Sequence, residues 1–408
     1  MARARRLPSI PAFVIGTLIA LGALAGARAA DPGAEPPPVK FPAKFGSLEL
    51  PARFPAGTTL SITQWSHFVP RYDKWFDQYA QAWGEANGVK VTVQHISYAD
   101  LNSTLSAAIA AKSGPTMFQM LASPAAFIEG LQPLNDVNEA AAAAFGKGVD
   151  PCTHQAYLPV KKTWYAFCVG WVPDPGDYRI SLWTSAGYPN GPASYQDLLE
   201  GGQKIFETQG IPVGVGMSPE IDSEFYARSL IWSFGGRVQD ACGKVTLDSP
   251  EVVKAVEFQA KLFHQAETPE VFSWNAASNN QAFVSGRASY IQNSISFYRT
   301  AQKSNQKNAA DTGFRPGLKG PTGEVHQTAH VWFIYVVPSY VTDRNQIEAA
   351  KKFMLDLVAN YGNDTYYSEL YDFPAYPGTV PELTREGGWV DHDPWGSNPP
   401  DKLKVLKG

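Results

Sequence analysis

LSITQWSHFVPRYDKWFDQYAQAWGEANGVKVTV, Leu60 to Val93, is the stretch whose pattern decides the fold class. Leu60 to Trp65 reads as a short β-type run. From Val69 to Asn87 the period changes, with Trp75, Phe76, Tyr79 and Trp83 at helical spacing. Trp75, Phe76 and Trp83 share one face and are assigned to the core. Pro70 sits near the first turn, and Asn87-Gly88 ends the helix. Val89 to Val93 returns to β. Outward from there, Ala99 to Ala111 forms a helix closed by Ser113-Gly114-Pro115, and Thr116 to Leu121 forms a third strand. Strand, helix, strand, helix, strand marks a parallel α/β lobe. The style repeats with a helix at Tyr195 to Thr208, a strand at Val213 to Met217 and a helix at Val252 to Gln265. No repeat of fixed period runs through the chain, which excludes a solenoid.

The N-terminus carries Arg3, Arg5 and Arg6, an apolar run from Ala12 to Ala25, and the small-x-small pattern Ala27-Arg28-Ala29. That is the layout of a secretory signal peptide over residues 1–29. The mature chain is expected to begin near Ala30 or Asp31, in the periplasm. The apolar run is short for a membrane span, and no other stretch reaches that length. Residues 30–57 form a Pro-rich arm, in which Pro36, Pro37 and Pro38 favour an extended segment ordered only by packing on the body. From residue 58 the body is long enough for two domains.

The charge balance is near neutral, −4 from 34 basic and 38 acidic residues, and the basic residues form no dense patch. Nucleic acid is therefore not an expected partner. Three cysteines are present and none form a Cys-x-x-Cys pair. In an oxidising compartment Cys152 and Cys168 would close a loop of about 15 residues, worth on the order of 3 kcal/mol. Three buried free thiols are the alternative, and Cys242 is the odd one out in the turn Asp240-Ala241-Cys242-Gly243. No nucleophile elbow, zinc-protease helix or phosphate-cradling loop occurs. His326 and His330 lie four apart, but between loop and strand sequences rather than on a helix, so no metal site or cofactor is assigned. Asp222 and Glu224 could serve glycoside hydrolysis or binding equally well.

The chain resembles the family 1 extracellular solute-binding proteins, whose relatives bind maltose and other sugars. The resemblance runs from Leu60 to Val358. It rests on Trp65-Ser66-His67-Phe68-Val69-Pro70, on Tyr178-Arg179 through Leu182-Trp183 to Gly187-Tyr188-Pro189, and on Trp232-Ser233-Phe234-Gly235-Gly236-Arg237-Val238. Asp248-Ser249-Pro250-Glu251, Asn279 to Phe283, Ser285 to Ala288, Gly320-Pro321-Thr322-Gly323 and the late helix Asn345 to Val358 extend it. It implies an α/β, two-lobed periplasmic-binding-protein clamshell with the ligand cleft between the lobes. Residues 58–170 and 294–355 would form lobe I, and 171–293 and 356–408 lobe II.

The same resemblance implies ligand contacts on loops facing the cleft. They are Trp65, Ser66 and His67 after the first strand, Gln119 and Ser123 at the third, and Trp171 near the first crossover. Asp222, Glu224, Trp274 and Asn275 would follow from the second lobe, with Asn293, Ser296, His330 and Trp332 near the return. Asn275, Asn279 and Asp222 serve as well for helix caps. The ligand implied is a sugar or polyol, because a phosphate or nucleotide would call for more Arg or helix N-terminal glycines. Tyr366-Tyr367 resembles the tyrosine pair of ferric-ion binders, but no matching His and acid loop accompanies it. The expected function is the binding component of an ABC importer, a monomer delivering its solute to the permease subunits. A secreted carbohydrate-active enzyme or a ligand-presenting sensory protein are the alternatives.

Overall fold

The computed structural model describes residues 36–42, 44–240 and 242–407. The expected secretory signal and its cleavage point lie outside the described residues, as do the first residues of the arm. In chain order the elements used below are β1 (Thr59–Trp65), α1 (Pro70–Asn87), β2 (Lys90–Ile96), α2 (Leu101–Ala111), β3 (Met117–Met120) and α3 (Asp150–Ala156). Then come β4 (Phe167–Trp171), β5 (Gly176–Arg179), α4 (Tyr195–Gln209), α5 (Ile221–Ser233), α6 (Pro250–Ala266) and β6 (Tyr290–Gln292). The chain continues with α7 (Ser296–Ser304), β7 (Thr312–Arg315), β8 (Trp332–Val336), α8 (Arg344–Ala359), α9 (Tyr361–Tyr367) and β9 (Phe373–Pro374).

Two sheets organise the chain. The first has the order β9-β4-β8-β3-β1-β2, and the second the order β6-β5-β7. β1 runs parallel to β2 and β3, as the βαβαβ pattern requires, while β8 and β9 pair antiparallel. α1 starts with Pro70 in its first turn and stops where Gly88 takes φ 73°, sending its N–H back to the Gly84 carbonyl. Gly84 lets α1 lie close on its own strand, since a Cβ there would sit 2.6 Å from the Val89 carbonyl oxygen. Trp75, Phe76 and Trp83 are buried in the first-lobe core, as their shared face demands. Val213 to Met217, expected as a strand, joins no ladder. Its amides instead reach the Ala266, Tyr290 and Val271 carbonyls separately.

The pairings shift the expected lobe boundaries. β7 completes an antiparallel ladder on β5, so residues 312–315 belong to the second sheet rather than to lobe I. β9 pairs with β4, so residues 373–374 belong to the first sheet rather than to lobe II. Both strands are too short for an alternation signal, which is why the sequence misplaces them. The tail beyond them is held to α7, within the stretch expected for lobe I. Arg299 of α7 grips Asp393 through two nitrogens at 2.7 and 3.0 Å.

The arm packs on the body. Asn360 exchanges two hydrogen bonds with Lys40, Asn363 donates to the Pro37 carbonyl at 2.9 Å, and Lys352 to the Pro42 carbonyl at 2.8 Å. Phe45, Leu50 and Phe54 are buried. The expected disulfide joins Cys152 on α3 to Cys168 on β4, and Cys242 is free and exposed.

Candidate functional site

The C-terminal ends of β1, β3 and β4 and the start of β8 open toward the second sheet, because β8 and β9 begin opposite Trp171. Ligand sites of α/β sheets occupy such strand ends. Here the chain crosses outward through Val172 to Pro175 and returns between Arg315 and Trp332. The crossings are tied by His330 N–H to the Val172 carbonyl and Val172 N–H to the Val331 carbonyl. Beside them lies a cavity of about 430 Å³ lined by Trp171, Trp232, Trp332, Arg228, Arg315 and Asp174, among others. That volume falls within the ~300–1,000 Å³ usual for small-molecule sites. Trp171 and Trp332 sit with ring centres 6.4 Å apart, tilted by 31°. Arg228 and Trp232 reach the same wall because they are one turn apart on α5.

The next strip of α5 meets a buried polar cluster. His330 Nδ1 lies 3.1 Å from Asp174 and 3.5 Å from Asp222. Asn279 donates to Asp222 at 2.8 Å, and Gln292 to Asp174 at 2.6 Å. Burial pushes the Asp222 carboxyl up to about 7, although the His330 charge works the other way. Burial opposes charge on His330 too, but Asp222 and Asp174 outweigh it and raise its pKa. The pair thus holds a proton near neutrality.

The first-lobe residues assemble differently. His67 is buried, accepts the Val69 N–H at its Nδ1 and faces Asp372 with its Nε2 at 3.1 Å. That leaves the proton on Nε2. Burial lowers its pKa to about 4, so the ring is neutral. Trp65 is 3% exposed, stacked near Phe333 and edge-on to Phe68. Gln119 accepts the Trp65 N–H, and its amide reaches the Tyr335 hydroxyl. These three are buried, and none of them lines the cavity.

Of the remaining expected contacts, Trp171 and Trp332 line the cavity, and Asp222 and His330 join the cluster beside it. Ser66, Ser123 and Glu224 are exposed, with Ser123 donating to the Gln155 carbonyl. Asn275 accepts the Ala277 N–H in the turn before the helix Ser278–Val284, whose N-cap is Ala277, so it neither lines the cavity nor caps that helix. Trp274 is mostly buried, its ring over Gly214 and its indole N–H without a partner, and it does not line the cavity. Asn293 bonds to Asn280, which also donates to Ser296. Sequence reasoning missed Asp174, Arg228, Trp232 and Arg315. Only the spacing of Arg228 and Trp232 on one helical face offered a signal. Tyr366 and Tyr367 both face the Arg71 guanidinium, at 5.1 and 4.9 Å. Among the described residues no group of three His, Cys, Asp or Glu side chains could hold a metal ion, and no helix is long and apolar enough to cross a membrane.

Two lobes, a double crossing and a tryptophan-walled cavity between them define a clamshell binding protein. Residues 78–386 match the bacterial extracellular solute-binding proteins, and the chain belongs to that family. Its family and fold are those of substrate-binding proteins, not enzymes. Among solved structures, the chain is similar to the maltose-bound MalE3 of T. maritima. Identity there is 20%, over 86% of this chain and 87% of that one, with a TM-score of 0.68. A solute-binding protein of Agrobacterium radiobacter K84 in complex with ribitol is 18% identical over 86% and 88% of the chains, with a TM-score of 0.67. One from Thermotoga lettingae TMO, bound with α-D-tagatose, is 18% identical over 82% and 86%, at 0.66. A probable ABC transporter-binding protein of Deinococcus radiodurans is 26% identical over 175 residues, 41% of this chain and 42% of that protein.

Proposed function

We propose that this protein is the periplasmic binding component of an ABC importer, taking a small polar solute of the sugar or polyol class and passing it to the permease. The observation that carries the reading is the interlobe cavity, where Trp171, Trp232 and Trp332 offer flat apolar faces beside charged and amide groups. Sugar rings present both kinds of surface, C–H faces for aromatic rings and hydroxyls for polar groups. The maltose, tagatose and ribitol complexes of similar fold support the class. Binding would draw the lobes together about the crossings at 172–175 and 316–331, a hinge closure that the permease could sense.

The test is a thermal-shift screen of the mature chain with sugars, polyols and amino acids. A ligand that binds only the folded state stabilises it by about 2.7 kcal/mol at 100 times its Kd. The expected outcome is a rise in melting temperature with at least one carbohydrate or polyol, abolished by Trp232→Ala. A rise with amino acids alone would overturn the assignment of ligand class.

A further inference from the structure

We propose that the cavity is built for an acidic sugar, a uronic or aldonic acid whose carboxylate is held by Arg228 and Arg315 while its carbon skeleton lies among the tryptophans. This rests on the solute-binding reading above and narrows it.

Both guanidiniums line the cavity, and neither has a carboxylate within ion-pair distance among the described residues. Arg315 Nε is buried with no hydrogen-bond partner. Two other buried or half-buried arginines are matched by carboxylates, and Arg71 lies against the Tyr366 and Tyr367 rings. Arg299 is held by Asp393 through two nitrogens, and Arg179 Nε donates to Asp311 at 2.9 Å. Both side chains are half-buried and keep part of their hydration, but Arg315 Nε is shut off from water, and an acceptor that arrives with the ligand would supply its missing bond. The acids nearby do not fill that role. Asp174 is committed to Gln292 and faces His330. Glu224 lies one turn before Arg228 on α5 but makes no ion pair with it.

The other lining residues sharpen the case. Pro151, Pro173, Pro175 and Pro316 border the cavity, and proline has no backbone N–H to offer an anion. The lining's other side-chain donors, such as the Gln327 amide and the Thr328 hydroxyl, are neutral, so its positive charge lies in the two arginine forks, whose planar geometry matches a carboxylate. The tryptophan faces in turn disfavour a small inorganic anion, which would leave them uncovered.

The experiment compares D-glucuronate, D-galacturonate and D-gluconate with D-glucose, D-galactose and D-glucitol by thermal shift and calorimetry, with glucose 6-phosphate as the phosphate probe. At least one acid is expected to bind ~10-fold or more tightly than its neutral counterpart, and less tightly as salt is added. Arg315→Gln and Arg228→Gln should each weaken the acid ~30-fold or more and leave any neutral binding within about threefold, while Arg315→Lys, charged but without the fork, falls between. Melting of each unliganded variant confirms that it is folded. If a neutral sugar or polyol binds as well as the acids, or the phosphate probe binds better, the acidic-sugar inference is overturned and the solute-binding reading stands. If none of these compounds binds, the acidic-sugar inference is overturned, and the wider screen above decides the solute-binding reading.

Discussion

Trp83 is fully buried, 5.2 Å from Phe353 between ring centres, and donates its indole N–H to Asp356 at 2.7 Å. Trp171 is half-buried on the cavity wall. Equal residues in unequal surroundings should respond oppositely to truncation. Trp83→Ala is expected to cost about 3–5 kcal/mol through the cavity it leaves, and to spare affinity. Trp171→Ala should instead weaken the ligand found by the screen about tenfold or more, with little change in stability. Urea denaturation and calorimetry on both variants decide it, and unchanged affinity without Trp171 would place the stacking wall elsewhere. The sequence made the first residue readable, because a shared helical face marks a core. It did not make the cavity readable. Arg315 ends a four-residue strand, and its partners there come from the crossing at 173–175, over a hundred residues earlier. No local pattern encodes such a meeting.

At the scale of elements, the long helices were legible to within a residue or two, since periodicity accumulates over many positions. α4, α6 and α8 stand nearly where their patterns place them. Short strands were not. β7 and β9 are defined by their partners, and the apolar run at 213–217 has none. Two elements carry predictions of their own. The Cys152–Cys168 bond ties α3, which supplies Pro151 and Gln155 to the cavity, to β4, which supplies Trp171. Replacing both cysteines with serine is expected to lower stability by about 3 kcal/mol, so its urea midpoint should match that of wild type under reductant. The arm buries Phe45, Leu50 and Phe54 and satisfies Asn360, Asn363 and Lys352. A chain starting at Thr58 should lose several kcal/mol, at roughly 1.5–3 per large apolar side chain. Equal midpoints for the two chains would show that the arm adds nothing to the body.

Across the whole molecule, buried acids set the response to pH. Burial raises Asp222 to about 7 and Asp356 to about 6, and lifts Asp177, Asp364, Asp372 and Glu267 well above the usual carboxylate range. His330 is also raised, with the charges of Asp222 and Asp174 overcoming its burial. Each of these groups holds its proton more tightly folded than unfolded. The stability each contributes is fully present below its unfolded pKa and is lost as pH rises through its folded pKa. For Asp222 that window runs from the ordinary carboxyl value of 3.8 to about 7. His67 works the other way. Lowered to about 4, it adds stability as pH climbs from there toward 6.5. One imidazole stands against several carboxyls, so the unliganded protein should be more stable near about pH 5 than near about pH 8. Asp222→Asn, which removes one of the titrating carboxyls and keeps a partner for Asn279, should flatten the slope in that window. Urea midpoints across the range measure both effects. A stability that climbs steadily from pH 5 to pH 8 would mean that these carboxyls are ionised in the folded protein, and that the cluster around His330 is more open to water than its burial indicates.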